Sequence, residues 1–105
     1  MEATIKTIDN KGIYLTRNGI TFSIQFGAGN YCDNYDKDIA KQFRDKPDTK
    51  SSDCEIAVIE SGDNWITYKA FPEEGEHIEG SNEVVGNVPI CKALERFLSF
   101  TSESE

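Results

Sequence analysis

The chain opens with three short segments in which apolar and polar residues alternate, the period of a β-strand with one face on a core. They cover residues 4–8, 13–17 and 20–26. Between the last two lies Asn18-Gly19, which favours a type I′ hairpin turn because both of its central residues need a positive φ. The pattern therefore predicts a β-meander over residues 1–26.

The alternation stops after residue 26, and residues 27–53 contain few apolar anchors. Ile39, Ala40 and Phe43 have the spacing of one or two helical turns, which Pro47 ends. The sequence predicts an irregular loop region here.

The second half of the chain has further segments with the pattern of strands, followed by one with the spacing of a helix. Residues 54–59, 65–71 and 83–88 are predicted strands, with an acidic loop over residues 72–82. Pro89 opens a predicted helix over residues 89–100. Its apolar residues recur at helical spacing and form a stripe that should cover one face of the sheet: Ile90, Ala93, Leu94, Phe97 and Leu98. The tail, residues 101–105, is expected to fray.

These elements predict one domain over residues 1–105, a size that suits its 105 residues and 11.8 kDa. The fold class is α+β: an antiparallel sheet of five to six strands that starts as a β-meander, with a C-terminal α-helix packed on one face. The strand context places Trp65 in the core.

Charge divides the chain into two unlike halves. The formal net charge is −8; residues 1–50 carry seven acids and eight bases, while residues 51–105 carry twelve acids and three bases. The densest acidic part contains Glu73, Glu74, Glu76, Glu79 and Glu83. Such a charge repels phosphate backbones, which argues against direct nucleic-acid binding. Two interpretations remain, a solvated loop and an acidic face that docks on a basic protein.

Signals for catalysis, metal binding and membrane insertion are weak. The three cysteines form no C-x-x-C pair, and His77 is the only histidine. No nucleophile–base pair or metal-ligand spacing is visible, so we expect no catalytic residues, no metal and no cofactor. No apolar run has the length of about 20 residues that a bilayer requires, and the first residues are not a signal peptide. We expect a cytoplasmic protein with reduced thiols.

The most distinctive segment is residues 27–34, which read Gly-Ala-Gly-Asn-Tyr-Cys-Asp-Asn. It is neither the dinucleotide-binding motif nor a P-loop, since it lacks the third glycine and the lysine. Asn30, Asp33 and Asn34 suit Asx-turns that hold the loop in shape. The alternative is a recognition loop in which Tyr31 and Tyr35 anchor a partner and the same three polar residues supply hydrogen bonds.

Residues 22–34 resemble a segment of small accessory proteins encoded by tailed bacteriophages. The later layout is also similar, with residues 55–59 before Trp65 and with Val84-Val85-Gly86 before a terminal helix. The resemblance implies a phage accessory protein in the bacterial host cytoplasm. In size and charge the chain resembles anti-CRISPR and other anti-defence inhibitors.

We therefore expect a non-enzymatic protein that inhibits a host defence nuclease by mimicking nucleic acid. Its acidic face would occupy the basic nucleic-acid groove of that host protein. The alternative is a sponge for a small ligand or nucleotide, or another interaction module, that uses the loop over residues 27–34.

Overall fold

A computed structural model describes residues 2–9, 11–28, 30, 32, 34, 38, 40–41, 44, 49–62, 64–77 and 84–102. Its strands are β1 (Ala3–Ile8), β2 (Gly12–Arg17), β3 (Ile20–Gln25), β4 (Asp53–Glu60), β5 (Asn64–Trp65) and β6 (Val85–Pro89). The helices are α1 (Thr67–Ala70), a 3-10 helix (Pro72–His77) and α2 (Ile90–Phe100). An antiparallel sheet with a C-terminal helix packed on it confirms the predicted fold class.

The first four strands lie side by side in chain order, so the meander continues into β4. Both β5 and β6 pair with the other edge of β4, each at a different end of that strand. Asn18 has φ of 56° and Gly19 has φ of 77°, as the predicted type I′ turn requires. This turn sets the register in which Arg17 faces Ile20.

The core lies between α2 and the inner faces of β3 and β4. The buried side chains there include Phe22, Ile24, Cys54, Ile56 and Val58, which are the inward positions that the alternation predicted. Phe97 of α2 meets the Phe22 ring edge to face, with 5.4 Å between the ring centroids. Burial of each large apolar side chain stabilises the fold by about 1.5–3 kcal/mol, so this contact holds the helix on the sheet.

The predicted helix is confirmed, but its buried side is narrower than the predicted stripe. Ala93 and Phe97 are buried, whereas Leu94 is 42% and Leu98 58% exposed. Each residue turns 100° around a helix, which places the two leucines on the flank opposite Lys92. The Lys92 flank contacts the 3-10 helix, so the chain covers α2 on that side and on the sheet side.

The strand predicted over residues 65–71 is wrong, because the chain leaves the sheet after Trp65. Thr67 is buried, and its side-chain Oγ1 accepts a hydrogen bond from the backbone N–H of Val58 at 2.9 Å. Ile66 and Ala70 are both buried, as on one side of a helical turn, whereas Tyr68, which would share their face in a strand, is 49% exposed. Trp65, predicted in the core, is 38% exposed.

The remaining elements differ from the predictions at their ends. The predicted acidic loop begins as the 3-10 helix, and residues 78–83 lie outside the described part of the chain. The last strand is Val85–Pro89 rather than residues 83–88, and Pro89 is also the N-cap of α2. Most of the predicted helical turn around Ile39 and Phe43, and the end of the tail, also lie outside the described residues. Within the described residues, no helix has the length and apolar character needed to cross a bilayer.

Candidate interaction surfaces

The first two predicted acidic residues form an ion-pair cluster with α2. Arg96 donates two parallel hydrogen bonds to Glu73, with Nη1–Oε1 at 3.0 Å and Nη2–Oε2 at 2.6 Å. Lys92 Nζ lies 3.0 Å from Glu74 Oε1 and 3.2 Å from Glu73 Oε2. We call these four residues the carboxylate clasp. It joins the 3-10 helix to α2 and balances two acids with two bases.

Arg96 has further contacts that fix its position in the clasp. Its guanidinium donates to the carbonyl of Ala70 and lies 4.9 Å from the centroid of the Phe71 ring. The hydrogen bonds from Arg96 are the largest cause that lowers the pKa of Glu73 to about 2. In return, the carboxylates raise the pKa of Lys92 and of Arg96. The clasp is thus an organised contact rather than a chance surface pair.

The clasp is not predicted from the sequence, because its bases follow its acids by about twenty residues. The signal that was available is the four-residue spacing of Lys92 and Arg96, which puts both on one flank of a helix. Glu73 and Glu74 are therefore neutralised locally. The side chain of Glu76, and the residues Glu79 and Glu83, lie outside the described part of the structure.

Pairing within the clasp changes where the acidic excess lies, but not its size. It uses two of the three bases in residues 51–105. Lys69 is the only other base in that half of the sequence, against ten further acids. The negative field of this half is therefore retained, with its centre away from Glu73 and Glu74.

The loop over residues 27–34 is held from inside by Asn30. This side chain is buried, and its Oδ1 accepts a hydrogen bond from the N–H of Gly27 at 3.0 Å. Its Nδ2 donates to Gln25 Oε1 at 3.1 Å and to Glu55 Oε1 at 3.0 Å. Asn30 therefore ties the loop to β3 and β4 and directs its polar groups inwards.

Asn34 and Cys32 complete the anchoring. Asn34 Nδ2 donates to the carbonyl of Phe26 at 2.6 Å and to that of Lys50 at 3.0 Å, while the Cys32 side chain is buried. These contacts support the interpretation in which the loop is shaped by its own Asn side chains. The other three predicted recognition residues, Tyr31, Asp33 and Tyr35, lie outside the described residues.

Opposite α2, the sheet has an outer face that neither α1 nor α2 covers. Asn30 contacts one end of it through Gln25 and Glu55, and Ser23 and Ala57 on it are buried. We call this outer face the open sheet face. It contains two adjoining depressions that share Tyr14 and Ile59. The first, of about 160 Å³, is also lined by Ser23, Gln25, Glu55, Ala57, Trp65 and Val84. The second, of about 350 Å³, is also lined by Thr4, Lys6, Thr16 and Thr21.

The alternation over residues 20–26 predicts that Thr21, Ser23 and Gln25 face water, and it predicts no groove. Ser23 is instead buried. The strand register explains the groove, because Tyr14 stands opposite Ser23, and Ser23 stands opposite Ala57. One large ring beside two short side chains leaves a hollow.

The cysteines lie in two different environments. Cys32 and Cys54 are buried and Cys91 is exposed. Burial is the largest cause that raises the pKa of Cys54 to about 12, followed by the charge of Asp53 and the neighbouring Cys32. A thiol of this kind acts as a small apolar side chain. Among the described residues, no three His, Cys, Asp or Glu side chains form a group able to hold a metal ion.

No family model matches this chain, and comparison with the curated proteins and with the solved structures found no match.

Proposed function

We propose that this chain is a non-enzymatic binding protein whose partner is a protein with a basic, nucleic-acid-binding groove. The observation that supports it most is the distribution of charge. The clasp engages two of the three bases in residues 51–105, so ten acids and Lys69 determine the field of that half. A negative surface of this kind attracts a groove lined with Lys and Arg and competes with phosphate for it.

The finer proposal is that the partner is a host defence nuclease and that the protein is an anti-CRISPR-like inhibitor of phage origin. Its support is the resemblance of residues 22–34, together with the small size and the acidic character of the chain. Within the acidic segment, Glu76, Glu79 and Glu83 are the residues we assign to the contact. Glu73 and Glu74 instead hold the segment against α2.

The test is an inhibition assay with a purified RNA-guided nuclease of a phage host, at about 50 mM and about 300 mM salt. The variant Glu76→Gln/Glu79→Gln/Glu83→Gln removes three negative charges from the assigned segment. A matched control, Asp36→Asn/Asp45→Asn/Asp48→Asn, removes the same charge from the nearly neutral half. We expect the first variant to inhibit at least tenfold less well, with a weaker dependence on salt, while the control stays close to wild type.

Equal loss in both variants would show that net charge alone acts and would remove the assigned segment from the proposal. Undiminished inhibition by the first variant would overturn the acidic contact altogether. The variant Glu73→Gln/Glu74→Gln separates the two roles, because we expect it to lower stability more than inhibition.

A second candidate function is binding of a small ligand on the open sheet face, in place of the loop over residues 27–34. Two aromatic side chains, Tyr14 and Trp65, line the first depression beside the carboxylate of Glu55. That carboxylate disfavours phosphate and favours a neutral or cationic ring compound.

A thermal-shift screen tests this candidate with paired neutral, cationic and phosphorylated forms of the same ring compounds. The proposal expects a rise in Tm with the neutral or cationic forms only, and expects Tyr14→Ala to abolish it. A response limited to phosphorylated forms would contradict it.

A further inference from the structure

We propose that β1 is a dimerisation edge, at which a second copy of this chain adds its own β1 in antiparallel orientation. All residues of β1 except Ile8 are exposed, and β2 is its only partner in the sheet described. The strand contains no proline, and it pairs with β2 in unbroken register without a bulge. The usual devices that stop an edge strand from pairing further are proline, bulges, covering elements and charged side chains, lysine above all. Of these, β1 has only Lys6.

The type I′ turn determines which backbone groups of β1 face away from the sheet. In a two-residue hairpin the pair next to the turn, here Arg17 and Ile20, is hydrogen-bonded. Bonding alternates along β2, so Leu15 also faces β3, while Tyr14 faces β1. Lys6 is the partner of Tyr14, and its backbone groups therefore point into the sheet.

It follows that the N–H and C=O groups of Ala3, Ile5 and Thr7 point to the free edge. The carbonyl of Ile8 accepts the N–H of Lys11 at 2.7 Å, and Ile8 has the inward phase, as this alternation requires. A second β1 with a two-fold axis at Ile5 satisfies this edge with about six hydrogen bonds, two for each of three facing pairs.

The side chains of β1 suit this register. The centre of the edge is Ile5, an apolar side chain that is 66% exposed. In the dimer it packs against Ile5 of the partner subunit, which removes both from water. Lys6 faces the partner subunit's Thr4, so no like charges stand opposite each other.

Charge complementarity supports the same arrangement. Glu2 faces Ile8 of the partner subunit and is diagonal to the partner subunit's Lys6, on the same face of the sheet. The symmetry makes two such acid–base pairs. A register centred on Lys6 would bring two lysines together. One centred on Thr4 sets Glu2 directly opposite the partner subunit's Lys6, but it shortens the ladder and separates the two isoleucines. The register at Ile5 is therefore the one in which bonds, apolar contact and charges agree.

Dimerisation of this kind joins two open sheet faces into one continuous surface. It does not rest on the proposed function, because a protein that is monomeric at all concentrations would overturn the dimer and leave partner binding untouched.

Sedimentation equilibrium of the full chain, from about 5 to about 500 µM, tests the inference. We expect a reversible dimer in wild type and a dimer at least tenfold weaker in Ile5→Lys, which sets two like charges against each other at the axis. The matched control is Leu94→Lys, which makes the same kind of change at an exposed apolar residue of α2 and should dimerise like wild type. Circular dichroism checks that both variants fold.

A charge swap tests the contact between Glu2 and Lys6, which the registers centred on Ile5 and on Thr4 share. We expect Glu2→Lys to weaken the dimer about threefold to tenfold, and Glu2→Lys/Lys6→Glu to restore it to within about twofold of wild type. Hydrogen exchange should show concentration-dependent protection at Ala3, Ile5 and Thr7. Protection at Thr7 distinguishes the register at Ile5 from the one at Thr4, in which Thr7 faces no residue of the partner subunit's β1. A monomer at about 500 µM, or a dimer that Ile5→Lys leaves intact, would overturn the inference.

Discussion

At the scale of single residues, Arg96 contacts three groups that lie more than twenty residues before it in the sequence. It reaches from α2 to Glu73, to the carbonyl of Ala70 and to the Phe71 ring. A planar guanidinium with several donors satisfies all three contacts together, which an ammonium group cannot do.

Replacing Arg96 by Ala should therefore lower the free energy of unfolding by about 1–2 kcal/mol, through lost packing as well as lost charge. Arg96→Lys should recover less than half of that loss. Urea denaturation of the two variants measures the effect, with Glu95→Ala as the control on the exposed side of the same helix, for which we expect a change within about 0.5 kcal/mol. Equal losses for Arg96→Ala and Glu95→Ala would contradict this account.

Glu73 gives the clasp a pH dependence. Because its pKa is lowered to about 2 in the folded protein from an ordinary 4.5, its ion pair stabilises the fold fully above pH 4.5. The contribution decreases as the pH falls from 4.5 to about 2. The side chain is 39% exposed, so solvent screening limits it to about 1 kcal/mol at neutral pH.

Wild type should consequently be more stable than Glu73→Gln at pH 7, and the difference should vanish below pH 2. Chemical denaturation of both proteins across this range is the measurement. A difference that persists unchanged at pH 2 would mean that the carboxylate charge is not what stabilises the contact.

At the scale of elements, the sequence predicts best where one periodicity decides the outcome. The three meander strands, β4 and α2 are set by alternation or by helical spacing over at least five residues, and all five elements are present near the predicted positions. The strand predicted over residues 65–71 is wrong because the alternation of Ile66, Tyr68 and Ala70 is also compatible with one helical turn. Two hydrogen bonds to Val58 favour the helical turn: its N–H donates to Thr67 Oγ1, and its carbonyl accepts the N–H of Ile66. Strand spacing carries no information on those bonds.

For the acidic segment and the open sheet face, the sequence predicts only the composition and not the geometry. The acidic excess is visible in the sequence, but its pairing depends on how closely α2 approaches the 3-10 helix. The polar residues of the open sheet face were predicted to face water, whereas the hollow beside Tyr14 depends on registers that join strands far apart in the chain.

Thr67 offers a direct test of what replaced the predicted strand. Thr67→Val keeps the volume but leaves the buried N–H of Val58 without its acceptor, which should cost about 1–3 kcal/mol. Thr67→Ser retains the hydroxyl and should cost about 1 kcal/mol, for the lost methyl group. Thermal unfolding ranks the variants. If Thr67→Ser were as damaging as Thr67→Val, packing rather than the hydrogen bond would hold α1 against β4.

At the scale of the whole molecule, one side of the sheet supplies the stability and the other supplies the accessible surface. The apolar contacts of α2, α1 and β6 gather on the inner face, where the buried core side chains lie. The clasp closes one flank of that layer with paired charges. The open sheet face and the β1 edge are consequently left for contacts with other molecules, and both adjoin the first half of the chain, whose net charge is close to zero. Like-charge repulsion between two copies of an acidic protein is weakest where such a neutral region forms the contact.

The reactivity of the three cysteines tests this division between a buried inner layer and an exposed surface. Cys91 is exposed, whereas Cys32 and Cys54 are buried, and Cys54 has a pKa raised to about 12 chiefly by that burial. At pH 8 we therefore expect a thiol reagent to modify one cysteine quickly and the other two only as fast as the chain opens. The absorbance of the thiolate that the reagent releases follows both phases of the reaction. Cys91→Ser should remove the fast phase. In about 6 M guanidinium, all three thiols should react at once. The Cys54 sulfur lies against β6, at 3.4 Å from the carbonyl of Val88, and becomes accessible only when β6 separates from β4. Two fast thiols in the native protein would therefore contradict the burial of the inner layer.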